Sequence, residues 1–174
     1  SYYGALKMMG EAWLALLHRQ NAVSAVSLRL PGLVARPSGG SGFGSAFLSE
    51  IFWAIAQGRP LEMPVSPGGT SWLMSVSAAA ANIVHALTVN DDALPPSRAV
   101  TLPALRVSMA ELADAIAHHC GQEPQLTYAP VPQIERSFAS YPALRAAAAE
   151  VAGFRPDASL ADLVATALRQ GIAP

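Results

Sequence analysis

The sequence predicts an α/β fold, and three observations carry that prediction. Segments with helical spacing of apolar residues alternate along the chain with short runs rich in Val, Leu and Thr, each bounded by Pro, Gly or Asn. No internal repeat interrupts the alternation, and no linker is long enough to divide it into independent domains. With 174 residues, 52% hydrophobic and only 13% charged, the chain has the material for a packed core and too little polarity for disorder.

The elements follow in order. Leu6, Met9, Trp13, Leu14, Leu16 and Leu17 recur at helical spacing, with Lys7, Glu11, His18 and Arg19 on the wetter side, which predicts a helix over Tyr3 to Gln20. The pattern begins almost at residue 1, as it does in a piece of a longer chain. Ala25 to Ala35 lacks helical period and reads as a buried strand, interrupted by Pro31-Gly32 where a ligand can approach the backbone. The glycine-rich stretch Ser38 to Gly44 is a loop, and Ser45 is placed to cap a helix that Gly58 closes. Pro60, Pro64 and Pro67 set short extended pieces. The apolar stretch Trp72 to Val89 reads as a strand end followed by a buried Ala-rich helix beginning at Ser77; its Ser75, Asn82 and His85, and its lack of basic flanks, argue against a membrane span.

A strand at Val100 to Leu102 precedes Ser108-Met-Ala-Glu111, a capping box that opens a helix ending at Gly121. Gln125 to Tyr128 reads as a further strand. Two helices complete the pattern, one over Ala143 to Val151 and one over Leu160 to Gln170 capped by Ser159.

Composition excludes several functional classes. Eleven basic residues against twelve acidic give a net charge of −1, without the basic surplus of a nucleic-acid binder. A single cysteine, Cys120, rules out an internal disulfide and fits a reducing, cytoplasmic setting. His118, His119 and Cys120 are consecutive, so they diverge by about 100° each around a helix and do not converge on a metal. His85, in an Ala-rich helix, reads as a hydrogen-bonded histidine of the core or its rim. Trp13, Trp53 and Trp72 read as core or interface anchors. Arg29, Arg36 and Arg59 are long enough to reach a carboxylate, with Arg36 the first to test.

The chemistry-bearing pair lies at the start. Lys7 is the only lysine, and Tyr3 precedes it by four residues, which places the two on neighbouring positions of one helix face. An ammonium beside a phenol favours the phenolate and so suits proton exchange with a substrate hydroxyl. Tyr2, five residues from Lys7, points further round the helix.

On these residues the chain resembles the extended short-chain dehydrogenase/reductase family, also called the NAD-dependent epimerase/dehydratase family. Tyr3-Gly-Ala-Leu-Lys7 matches its Tyr-x-x-x-Lys motif, Leu28-Arg-Leu-Pro-Gly-Leu-Val-Ala-Arg-Pro37 resembles the strand and loop after the catalytic helix, and Gly153 to Leu160 is similar to its C-terminal segment. The resemblance implies the C-terminal portion of an NAD(P)-binding Rossmann fold, its catalytic helix and last strands interleaved with a small substrate-binding subdomain. It implies Tyr3 as catalytic acid/base and Lys7 on the nicotinamide ribose. Pro31, Gly32 and Leu33 would contact the nicotinamide end, and Arg36, Ser38 and Trp72 the substrate.

NAD is the implied cofactor, with NADP left open, and a homodimer through the first helix the implied assembly; no metal, nucleic acid or membrane enters. The family's glycine-rich phosphate turn is not found among these residues, which places that half before residue 1. Many nucleotide-sugar epimerases carry an arginine just before an aromatic near Trp72, facing the substrate phosphates, whereas this chain has Thr70-Ser71-Trp72. A small, erythronate-like hydroxy acid, oxidised at its 2-hydroxyl, is the implied substrate. A nucleotide-sugar epimerase or dehydratase, and a non-catalytic interaction fragment, are the alternatives.

Overall fold

The computed structural model describes residues 2–36 and 44–171, with side chains to residue 169. Seven helices and seven short strands are formed by these residues, and backbone contacts gather them into two compact units, each built from three separated stretches of chain.

The first unit comprises Ser1–Leu30, Ala81–Pro103 and Arg145–Arg155. Its first helix, α1 (Tyr2–Arg19), buries only Ala15. Strand β1 (Ser27–Arg29) pairs in parallel with β5 (Ala99–Thr101), in the register Leu28↔Val100. A 3-10 turn (Asp91–Ala93) and a short helix, α6 (Ala147–Val151), complete it. Two side chains of α3 (Val76–Ala86) hold the third stretch. The Asn82 amide donates to the Arg155 carbonyl at 2.8 Å and accepts the Arg155 N–H at 3.0 Å. His85 Nε2 bonds the Ala152 carbonyl at 2.8 Å and stands edge-on to the buried Phe154 ring. His85 is thus the hydrogen-bonded histidine that its Ala-rich surroundings predict.

The second unit comprises Pro31–Ala80, Ala104–Leu144 and Pro156–Pro174 and holds the large apolar core. Helix α2 (Phe47–Ala56) buries eight of its ten residues and packs on α4 (Met109–Cys120), which packs on α7 (Leu160–Gly171). Strands β2 (Gly32–Leu33), β4 (Thr70–Met74) and β6 (Leu105–Ser108) form one sheet, β2 parallel and β6 antiparallel to β4. Strands β3 (Leu61–Met63) and β7 (Leu126–Tyr128) pair in parallel. The capping box forms as predicted, Ser108 Oγ accepting from the Glu111 N–H and the Glu111 carboxylate accepting from the Ser108 N–H. Gly121 closes α4 in the left-handed conformation at φ 63°.

Five expectations are corrected. The strand expected across Ala25 to Ala35 is two strands in two different sheets, because Pro31 has no N–H with which to continue the ladder. Ser45 does not cap α2 with its side chain; its carbonyl accepts from Leu48 instead. Helix α3 starts at Val76, capped by Ser75, whose Oγ accepts from the Ala78 N–H at 3.1 Å. An additional helix, α5 (Pro132–Phe138), forms where none was expected, with Pro132 in its first turn, where its missing N–H has no helical partner to lose. The helix expected over Ala143 to Val151 begins only at Ala147.

Candidate active site

Helix α1 brings Tyr3 and Lys7 together. The spacing of four puts one above the other, and the Lys7 ammonium lies 5.4 Å from the Tyr3 ring centroid, over its face. Both side chains are exposed; Tyr3 keeps 72% of its surface open. They stand at one end of a groove of about 640 Å³, walled by one face of α1 and by β1 with the residue after it, Leu28, Arg29 and Leu30. Gly10 continues the stripe one turn along, and a side chain there would meet no atom within 4 Å, so the floor of the groove is open at that point. One wall is pinned across the groove: Arg29 grips Glu11 with two hydrogen bonds of 2.8 and 2.6 Å. That contact holds the Glu11 carboxyl below its ordinary range, chiefly through the arginine's hydrogen bonds, and commits Arg29 structurally.

The groove therefore presents a phenol, an ammonium and an apolar strand end. This donor set fits the ribose hydroxyls and flat ring of a nicotinamide nucleotide, and the open floor at Gly10 leaves room beside it. No cradle for a pyrophosphate occurs among the described residues of this groove.

The remaining predicted residues belong to the second unit. Gly32 and Leu33 form β2. Gly32 is required by its own chain, since a Cβ would come within 3.0 Å of the Trp72 carbonyl and 3.4 Å of Leu48. Arg36 follows Ala35, whose φ of 52° turns the chain sharply. The Arg36 N–H donates to Ser49 Oγ at 3.3 Å and its carbonyl accepts from the Trp53 indole at 3.0 Å, so α2 fixes the Arg36 backbone from both sides. Its Nε is buried without a hydrogen-bond partner among the described residues. Ser38 lies outside the described residues. Trp72 has its indole N–H committed to the Pro142 carbonyl at 2.8 Å and its ring against Tyr141, with centroids 4.9 Å apart, which leaves the indole face as what it can offer a ligand.

Sequence reasoning did not foresee that Tyr141 and Arg106 meet around Trp72. Arg106 pairs across the sheet with Trp72, and its Nε donates to the Tyr141 carbonyl at 2.9 Å. The signal was there in Leu105-Arg-Val-Ser108, where apolar and polar residues alternate with the period of a strand. Among the described residues, no three His, Cys, Asp or Glu side chains gather as a metal site, and no helix is long and apolar enough to cross a membrane.

Parallel strands joined through helices, with a Tyr-x-x-x-Lys pair on a helix beside one strand, define an α/β fold of the Rossmann type. Comparison with known proteins makes this specific, although no family model matches. The chain is 30% identical over 167 residues to D-erythronate dehydrogenase of Cupriavidus necator, a match that covers 94% of this chain and 52% of that protein. It is 30% identical over 112 residues to D-erythronate dehydrogenase of Haemophilus influenzae, covering 64% of this chain and 36% of that one. In fold it is similar to a GalE-like L-threonine dehydrogenase from Cupriavidus necator, with a TM-score of 0.83 at 22% identity over 97% of this chain and 55% of the other. A nucleoside-diphosphate-sugar epimerase from Agrobacterium tumefaciens gives a TM-score of 0.83 at 23% identity, over 93% of this chain and 48% of the other. The chain belongs to the extended short-chain dehydrogenase/reductase family. It spans about half the length of the first of these curated relatives and about a third of the second, and matches a C-terminal part.

Proposed function

We propose that this chain carries the proton-transfer machinery of an NAD-dependent oxidoreductase that oxidises a small hydroxy acid. The observation that carries the reading is the Tyr3–Lys7 pair on the open side of the α1–β1 groove, in a chain 30% identical to two D-erythronate dehydrogenases. Tyr3 takes the proton from the substrate hydroxyl as the alcohol becomes a ketone. Lys7 provides a fixed positive charge over the Tyr3 ring and donates to ribose hydroxyls. When bound, the nicotinamide supplies the acceptor for the hydride. In this reading the backbone of Pro31, Gly32 and Leu33 faces the nicotinamide end. Arg36 and Ser38 hold the substrate, and Trp72 offers it a ring face. The unpartnered Nε of Arg36 supports its part, because a buried guanidinium donor without an acceptor suits a carboxylate.

The test is Tyr3→Phe in the full protein, assayed with D-erythronate and NAD. Turnover should fall by a factor on the order of 100 to 10,000 with NAD affinity largely retained. Near-wild-type turnover overturns the assignment, and activity on UDP-sugars but not on sugar acids would move the substrate to the nucleotide-sugar class.

A second reading rests on a separate observation. Tyr2, Leu6, Met9 and Trp13, at spacings of four, three and four, form a stripe along α1 that is 62–95% exposed. A stripe this apolar is the kind of surface that pairs with its own copy, and it supports a homodimer formed through the first helix.

A further inference from the structure

We propose that Arg29 is a positioning residue for Lys7: by gripping Glu11 it keeps the carboxylate of the α1–β1 groove off the ammonium, which stays over Tyr3 and open to a ribose hydroxyl. Tyr3, Lys7 and Glu11 follow one another at spacings of four on α1, and all three line the groove. Lys7 therefore has two neighbours on its own helix, a phenol one turn before it and a carboxylate one turn after it. A lysine with a glutamate four residues on can pair with it along the helix surface. Here it does not. The ion pairs among the described residues are Arg29–Glu11 and Arg98–Asp91, and the Lys7 ammonium lies 5.4 Å from the Tyr3 ring centroid.

What separates lysine from glutamate is the strand. Arg29, on β1, takes both carboxylate oxygens of Glu11, Nε donating to Oε1 at 2.8 Å and Nη2 to Oε2 at 2.6 Å. A planar guanidinium bound at two points outcompetes an ammonium on a flexible stem for the same carboxylate. Only 19% of the Glu11 side chain is exposed, so this carboxylate depends on a cation more than a surface group would. Lys7 is the other cation among the residues that line the groove. Deprived of Arg29, Glu11 turns to the lysine one turn away and draws it from the phenol. Helix α1 up to Arg19 and strand β1 both belong to the first unit, so the arrangement is local to that unit.

The consequence for nucleotide binding rests on the reading of Lys7 proposed above, whereas the competition for Glu11 does not, and two readouts keep them apart. In the full protein with lysine-selective labels, the Lys7 Hε resonances, identified by their loss in Lys7→Met, are followed alongside NAD affinity by calorimetry. Arg29→Met keeps the stem of the side chain and removes its donors. It should move the Lys7 Hε resonances downfield as the side chain leaves the Tyr3 ring, and should weaken NAD binding roughly two- to fivefold. Adding Glu11→Gln to that variant removes the competing charge and should restore both readouts, while Glu11→Gln alone should leave them near wild type. A contact that served only to clasp α1 to β1 predicts a different order, with the double variant no better than Arg29→Met. That order, or Lys7 resonances unmoved by Arg29→Met, overturns the proposal. If Arg29→Met does not fold, Arg29→Gln takes its place with the same expected order. NAD binding indifferent to Lys7→Met, with the Lys7 resonances displaced and restored as expected, would sustain the competition and sink the nucleotide reading of Lys7.

Discussion

Replacing Gly153 by alanine isolates the contact on which the C-terminal segment depends. Gly153 has a φ of +95°, and a Cβ built there would lie 2.8 Å from His85 Nε2 and 2.9 Å from its Cε1. The imidazole can yield only by giving up its hydrogen bond to the Ala152 carbonyl and its edge-on contact with the fully buried Phe154. The left-handed backbone costs an alanine about 1–2 kcal/mol. The overpacked contact adds about 1–3 kcal/mol.

Together these predict a loss of roughly 2–5 kcal/mol, which for a chain of this size is a melting temperature lower by roughly 5–15 °C. Gly121→Ala serves as the internal reference, because Gly121 has a φ of +63° and open space around it, so it reports the backbone cost without the collision. Thermal melts followed by circular dichroism on wild type, Gly121→Ala, Gly153→Ala and Gly153→Ala in a His85→Ala background separate the two contributions. The penalty at Gly153 should exceed that at Gly121 and should shrink toward it once the imidazole is removed. Equal penalties at the two glycines, or a Gly153 penalty indifferent to His85, would refute the reasoning.

Two further outcomes are expected. The Glu11 carboxyl is held low in the folded protein by Arg29, so its contribution is present above the ordinary carboxylate range and disappears as pH falls through the folded value. Glu11→Gln should therefore destabilise the protein at neutral pH by less than about 1 kcal/mol, because Arg29 remains half exposed to solvent, and the gap between the two melting temperatures should narrow as acidification carries the folded carboxyl through its lowered range. A gap that widens on acidification would reverse the sign argued here. The exposed stripe on α1 predicts that Trp13→Glu converts a dimer to a monomer in sedimentation experiments, with the fold intact by circular dichroism. A wild-type protein that sediments as a monomer removes the dimer reading.

Much of the fold could be read from the sequence where the signal is local. The capping box at Ser108 and the left-handed glycine after α4 depend only on residues within a turn of one another, and both form as expected. Tyr3 and Lys7 were legible for the same reason, since a spacing of four on a helix is a statement about proximity. What could not be read depends on pairing between distant residues. Nothing near Gly32 in the sequence shows that the carbonyl of Trp72, forty residues on, is what a side chain there would meet. Nothing near Trp72 shows that its indole N–H is held by the Pro142 carbonyl.

Arg106 shows most clearly what a reading along the chain leaves open. Positions 70 to 72 are Thr-Ser-Trp, and the absence of an arginine there argues against a nucleotide diphosphate on the substrate. Read across the sheet, the antiparallel register of β4 and β6 brings an arginine from thirty-six residues later to the same carbonyl oxygen that Thr70 holds. Charge in a site is a property of the surface and not of the strand that passes through it. A motif that names one residue on one strand therefore underdetermines the surface wherever a cross-strand neighbour can reach the same point.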